Sequence, residues 1–152
     1  MKRTRRRKKR RVTGKTLKFS FEQEVKFSEV DSMAVVWHGH YIRFMEDGRE
    51  AWGKEYGLTY LDVYRHNFFL PVVSINCEYF SPLKYGDTAI IETTMVDTPA
   101  AKLFFDYKIY RKEGHLLVAT GESTQVFLDT NRELYIAIPS FIEEWKKKQN
   151  LL

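Results

Sequence analysis

The sequence predicts an α+β fold in which a five-stranded antiparallel sheet wraps around one long helix. Three observations carry this. A run near the N-terminus alternates apolar and polar residues, a later stretch repeats its apolar residues at helical spacing, and four β-rich runs follow with short turn-forming separators.

The first strand begins at Leu17. Leu17, Phe19, Phe21, Val25 and Phe27 occupy odd positions, with Lys18, Ser20, Glu22, Glu24, Lys26 and Ser28 between them. Side chains alternate across a strand, so one face is buried. A non-repetitive stretch from Glu29 to Gly39 contains Asp31 and His38. A helix is expected from His40 to Tyr56, where Tyr41, Phe44, Met45, Trp52 and Tyr56 form one stripe. Gly48 lies on that stripe at a cost of about 1 kcal/mol in helix propensity, which close approach of another backbone would explain. Gly57 suits a left-handed C-terminal cap. A polar and aromatic connection leads to a second strand over residues 69–80, followed by the turn residues Ser81-Pro82 and Gly86-Asp87. Further strands are expected at Thr88–Val96, Leu103–Arg111 and Leu116–Leu128. A last helix, Ser140 to about Lys148, has Ser140 at the N-cap, Glu143 at the capping-box position and lysines in its final turn.

Bulk properties narrow the class. A chain of 152 residues with 43% hydrophobic and 15% aromatic content is a single packed domain rather than a disordered one. The single Cys77 excludes an intramolecular disulfide and suits a reducing compartment. No apolar run approaches the roughly 20 residues of a membrane-spanning helix, and no apolar stretch follows the N-terminal charges. The cytoplasm is therefore the expected location. The formal charge of +5 is not a property of the body: residues 1–15 hold ten of the 25 Lys and Arg residues and no acid, leaving the rest at −5. Such a block repels itself and is expected to be a disordered basic tail ahead of a domain at 16–152. It could contact nucleic acid or an anionic membrane surface, or simply be a solvated extension.

The residues from Phe27 to Arg49, F-S-E-V-D-S-M-A-V-V-W-H-G-H-Y-I-R-F-M-E-D-G-R, and the later S-P-L-K-Y-G-D resemble the 4-hydroxybenzoyl-CoA thioesterase family of hotdog-fold proteins. The similarity runs from about residue 18 to 147. The resemblance implies an acyl-CoA thioesterase, with acyl-ACP as an alternative thioester on the same residues. It implies Asp31 as the carboxylate that acts as nucleophile or general base, and the backbone N–H near His38 and Gly39 as oxyanion donor. Such chemistry needs an attacking group and a donor for the developing oxyanion, and a helix N-terminus supplies partial positive charge. The His38 side chain could move a proton or orient Asp31. Asp31 could equally be a turn or cap residue, and His40 is more readily structural. Glu46 is a reserve carboxylate, since other hotdog branches place their acid on the helix. The family often has glycine where Ala34 stands, a strained substitution if the backbone there has positive φ.

By the same likeness Lys102 and Arg132 are candidates for the coenzyme A phosphates, and Trp37, Tyr41, Met45 and Phe69 for an acyl channel. Those four side chains equally describe a plain core. A homodimer or homotetramer is implied, with active sites between subunits, and no metal or bound cofactor. A non-catalytic binder of acyl thioesters or nucleic acid on the same scaffold is the rival from another class.

Overall fold

The computed structural model describes residues 10–152; the first nine residues of the basic tail lie outside the described residues. The elements run β1 (Thr16–Glu24), α1 (His40–Tyr56), α2 (Tyr60–Arg65), β2 (Val72–Tyr79), β3 (Thr88–Val96), β4 (Lys102–Arg111), β5 (Leu116–Leu128), β6 (Leu134–Tyr135) and α3 (Ser140–Lys148). Five strands form one antiparallel sheet in the order β1-β3-β4-β5-β2, and the short β6 adds to the end of β5. The sheet curls around α1, the hotdog arrangement.

Alternation builds the inner face. β3 buries every second residue, with Ala89, Ile91, Thr93 and Met95 inward. From β4, Phe105, Tyr107 and Ile109 join them, and α1 supplies Tyr41, Phe44, Met45 and Trp52. Glycines set the distance between helix and sheet. A Cβ on Gly48 would lie 2.5 Å from both Ile91 Cγ2 and Thr93 Oγ1, and one on Gly121 would lie 2.5 Å from Met45 Cε. The close approach expected at Gly48 is present, although β3 side chains rather than a backbone make it. Gly57 caps α1 with φ +69°, its N–H donating to Gly53 O.

The outer face explains why Leu103, Phe104 and Phe105 are all buried in succession. Phe104 points outward and is covered by the chain ahead of β1. The Arg10 guanidinium sits 4.7 Å from the Phe104 ring centroid and 2.7 Å from the Asp106 carboxylate. Thr13 bonds Asp97 through both backbone and hydroxyl. Asp97 is in turn paired with Lys146 of α3 at 2.8 Å, both side chains almost fully buried, so this cluster ties the β3–β4 turn to the C-terminal helix.

Three sequence expectations are corrected. Phe27 does not extend the buried face of β1; the strand ends at Glu24, and Phe27 is exposed in a short 3-10 turn. Ser140 is already helical, because Pro139 accepts the first N–H bonds from Ile142 and Glu143, and no side-chain cap forms. The connection after α1 contains α2, opened by a reciprocal capping box between Thr59 and Asp62. That backbone bond and the Thr59 hydroxyl hold the Asp62 carboxyl below its ordinary pKa.

Candidate active site

The loop before α1 is a tight hairpin. Val30 bridges Val36, Asp31 N–H donates to Val35 O at 2.9 Å, and Ala34 N–H returns to Asp31 O at 3.0 Å. The half-buried Asp31 carboxylate accepts the Met33 N–H at 2.8 Å, so it is a turn residue as well as a candidate base. Ala34 has φ +61°, the left-handed conformation that glycine adopts more readily. Glu29, buried, supports the hairpin from beneath. Its carboxylate pairs with Arg43 of α1 and accepts the Lys26 N–H at 2.6 Å, while its carbonyl accepts the Trp37 N–H at 3.0 Å. Sequence reasoning missed Glu29 and Arg43; an acid near an entry loop and a cation one turn into the helix were the available signal.

The hairpin delivers the chain to the N-terminus of α1. His40 N–H donates to Trp37 O and Tyr41 N–H to His38 O. Among the described residues, the amide N–H groups of His38 and Gly39 have no hydrogen-bond partner. Unpartnered amides at a helix start are suited to a developing anion. The Trp37 indole lies on Gly39, where a Cβ would come within 2.1 Å of it. The His38 ring packs against Trp37 and faces the edge of Tyr79, whose hydroxyl donates to His38 O at 2.8 Å. Tyr79 as a whole is half exposed, but partial burial of its hydroxyl, with Cys77 and Tyr41 as neighbours, pushes that group up to about 12. Tyr41 is buried, and its hydroxyl accepts the Leu83 N–H at 3.0 Å, fastening α1 to the turn after β2.

The remaining candidates lie elsewhere. Met45 is fully buried against Gly121 and forms core rather than channel wall. Phe69 bridges Leu128, whereas Tyr79, next to His38, pairs with Ala119. Nine residues of β5 separate these points, roughly 30 Å at strand rise, so one protomer does not bring Phe69 to Trp37. Lys102 pairs with Val126 and is exposed at that same far end, as is Arg132 in the turn from Asp129 to Glu133, with φ +59°. Lys102 shares an outer groove with Arg10 and Arg11.

A cavity of about 550 Å³ also lies at the far end, between the later turns of α1, α2 and the inner face of β4 and β5. Trp52, Leu58, Val63, Leu103 and Phe105 give it apolar walls, and Glu46, Arg49 and Glu50 stand on its α1 side. The reserve carboxylate Glu46 thus belongs to this cavity and not to the Asp31 hairpin. Among the described residues, no cluster of three or more His, Cys, Asp or Glu side chains is placed to hold a metal, and no helix is long and apolar enough to cross a membrane.

The curled sheet around one helix, with a helix N-terminus opening beside a carboxylate hairpin, defines a hotdog-fold protein. Residues 25–146 match the model of the thioesterase-like superfamily. The chain belongs to that superfamily, and thioester hydrolysis is its activity class. Over 102 residues it is 38% identical to YneP of Bacillus subtilis, provisionally named an acyl-CoA thioesterase, covering 67% of this chain and 74% of that one. It is 26% identical to the chloroplast acyl-acyl carrier protein thioesterase ATL3 of Arabidopsis thaliana, covering 80% of this chain and 63% of that protein. Among solved structures, the 1,4-dihydroxy-2-naphthoyl-CoA thioesterase of Synechocystis superposes with a TM-score of 0.77 at 21% identity, covering 88% of this chain and 98% of that one.

Proposed function

We propose that this protein hydrolyses an acyl-coenzyme A thioester to the free acid and coenzyme A. The observation that carries the reading is the Asp31 hairpin running directly into the partnerless amides of His38 and Gly39. Asp31 removes a proton from the attacking water, or attacks the carbonyl itself to give an anhydride that water then opens. The amides of His38 and Gly39 receive the oxyanion, and the coenzyme A thiolate leaves with a proton relayed through the His38 side chain. Lys102 and Arg132 are the cations offered to the coenzyme's phosphates.

A homodimer completes this site. β2 is an edge strand with Val72, Val73, Ile75 and Tyr79 exposed, an edge that natural proteins pair or protect. The α1 N-terminus lies beside the C-terminal end of β2, and the 550 Å³ cavity beside its N-terminal end, at Leu70 and Val72. Antiparallel pairing of β2 with a second copy reverses that direction. The Asp31 hairpin of each copy then faces the cavity of the other, and Trp37 of one meets the Phe69 end of the other.

The test is hydrolysis of aromatic, short-chain and long-chain acyl-CoAs by wild type and Asp31→Asn. The expected loss is about 10²–10⁴-fold in kcat, the usual worth of a general base. Equal rates in both proteins would remove Asp31 from the chemistry and send the search to Glu46. An acyl-ACP substrate is the second reading, supported by the likeness to ATL3; it gains if Lys102→Ala and Arg132→Ala leave acyl-CoA turnover unchanged. A purely binding role is favoured if neither carrier's ester is hydrolysed.

A further inference from the structure

The cavity beside the later turns of α1 contains one polar group that the fold leaves unsatisfied. Gln125, on the inner face of β5 opposite Leu103, is only 6% exposed and lines the cavity. Its Nε2 donates to the Leu70 carbonyl at 2.9 Å, which fixes the orientation of the amide. The Oε1 atom is left buried with no hydrogen-bond partner. Other polar groups nearby satisfy one another: Arg49 Nη1 donates to the Tyr107 hydroxyl at 3.1 Å, and that hydroxyl meets Ser123 Oγ at 2.6 Å. A leucine would suit the apolar wall and carry no unpartnered acceptor of its own, although the Leu70 carbonyl would lose the donor that Gln125 supplies. A buried acceptor kept without a partner in a ligand-sized cavity is suited to a ligand that brings the donor.

We infer that this cavity receives the distal end of the acyl group, and that the Gln125 carbonyl selects acyl groups bearing a hydroxyl there, phenolic or aliphatic. The inference rests on the thioesterase reading for its substrate class. The apolar walls take the hydrocarbon body, and the single acceptor takes one O–H. A carboxylate at the tip is disfavoured, because it has no proton to donate to the Gln125 carbonyl. An ammonium supplies a donor but loses far more hydration on entering these walls.

The experiment compares matched pairs, 4-hydroxyphenylacetyl-CoA with phenylacetyl-CoA and an ω-hydroxyoctanoyl with an octanoyl ester, in wild type and Gln125→Leu. Binding of the corresponding non-hydrolysable thioether analogues is measured in parallel by calorimetry. Wild type is expected to favour the hydroxylated member of at least one pair by about ten-fold or more in kcat/KM and in affinity, since a site built around a hydroxyl rejects the analogue that lacks it. Gln125→Leu is expected to erase or invert that ratio. Equal affinity of wild type for both members of both pairs would mean that water satisfies Gln125, and would overturn the inference while leaving the thioesterase reading intact. A preference that persists in Gln125→Leu would also overturn it. A Gln125-dependent preference in binding without hydrolysis of any ester would support the selector and defeat the thioesterase reading instead. The wild-type comparison needs no variant, so a variant that fails to fold does not rescue the inference from a negative result.

Discussion

Replacing Ala34 by glycine should stabilise the protein, because the hairpin that presents Asp31 holds this alanine at φ +61°. In that conformation Cβ crowds the following carbonyl, at about 1–2 kcal/mol for an L-residue relative to glycine. Glycine's greater freedom in the unfolded chain costs about 0.4–1 kcal/mol in the opposite direction. Ala34 is exposed, so its methyl contributes little packing that would be lost. The net expectation for Ala34→Gly is a gain of about 0.5–1 kcal/mol, or roughly 1–3 °C in Tm for a chain of this size. Ala34→Val should move the other way, since a β-branched side chain tolerates positive φ least. Urea and thermal unfolding should therefore rank the three proteins Gly, Ala, Val in decreasing stability. A glycine variant no more stable than wild type would show that the hairpin does not hold this residue left-handed, and would undercut the placement of Asp31.

Two further outcomes are expected. Lys146→Ala leaves Asp97 buried without its cation, only the Thr13 hydroxyl among the described residues still donating to the carboxylate, and should cost about 3–5 kcal/mol in urea unfolding; a loss below about 1 kcal/mol would mean that water reaches the cluster. Tyr79 keeps its proton to about 12 when folded, against an ordinary 10.0. The folded protein then binds more protons than the unfolded chain between those values, so stability is unaffected below the lower one and falls as pH rises through the window. Tyr79→Phe should lessen that slope, the remainder coming from Tyr41 and Cys77, which burial also raises, and should remove the latest step of an ultraviolet phenol titration; identical slopes in the two proteins would contradict the assignment.

The sequence made the fold legible wherever a periodic pattern met a strong boundary. α1 begins and ends as expected because its apolar stripe is long and Gly57 stops it. β3 and β5 fall on their expected ranges because turn residues flank them. α2 was lost because six residues are too few to show a period, although the T-x-x-D capping box at Thr59–Asp62 was there to be read. β6 has two residues and exists only through its pairing with β5, which no local pattern encodes. Residues 10–15 carry the composition of the basic tail, yet Arg10 lies over Phe104 and bridges Asp106 and Glu122, which face each other across β4 and β5. Like charges so placed repel, and a cation between them relieves it; charge counts along the chain do not reveal such a meeting. The motif around Asp31 drew attention to the helix start, but helical spacing could not tell a cavity wall from a core. Tyr41 and Met45 on the stripe are core, and the cavity is lined instead by Trp52, by α2 and by residues far along the chain.

The separation of the site's parts has one geometric cause. α1 runs back along β2, so its N-terminus and the Asp31 hairpin adjoin Tyr79, while its later turns adjoin Leu70, Val72 and Gln125. From His40 to Trp52 the helix advances roughly 18 Å at 1.5 Å per residue. A protomer alone therefore holds the unpartnered amides of His38 and Gly39 at one end and its apolar cavity, Lys102 and Arg132 at the other. Pairing two β2 edges antiparallel exchanges the ends, and it covers the same exposed Val73 and Ile75 that would otherwise invite unspecific pairing. Under the proposed function, edge protection and assembly of the site would follow from one interface, and activity would depend on the dimer. Substituting lysine for Val73 should lower sedimentation mass and kcat together, and a monomer retaining full turnover would place the whole reaction within a single chain.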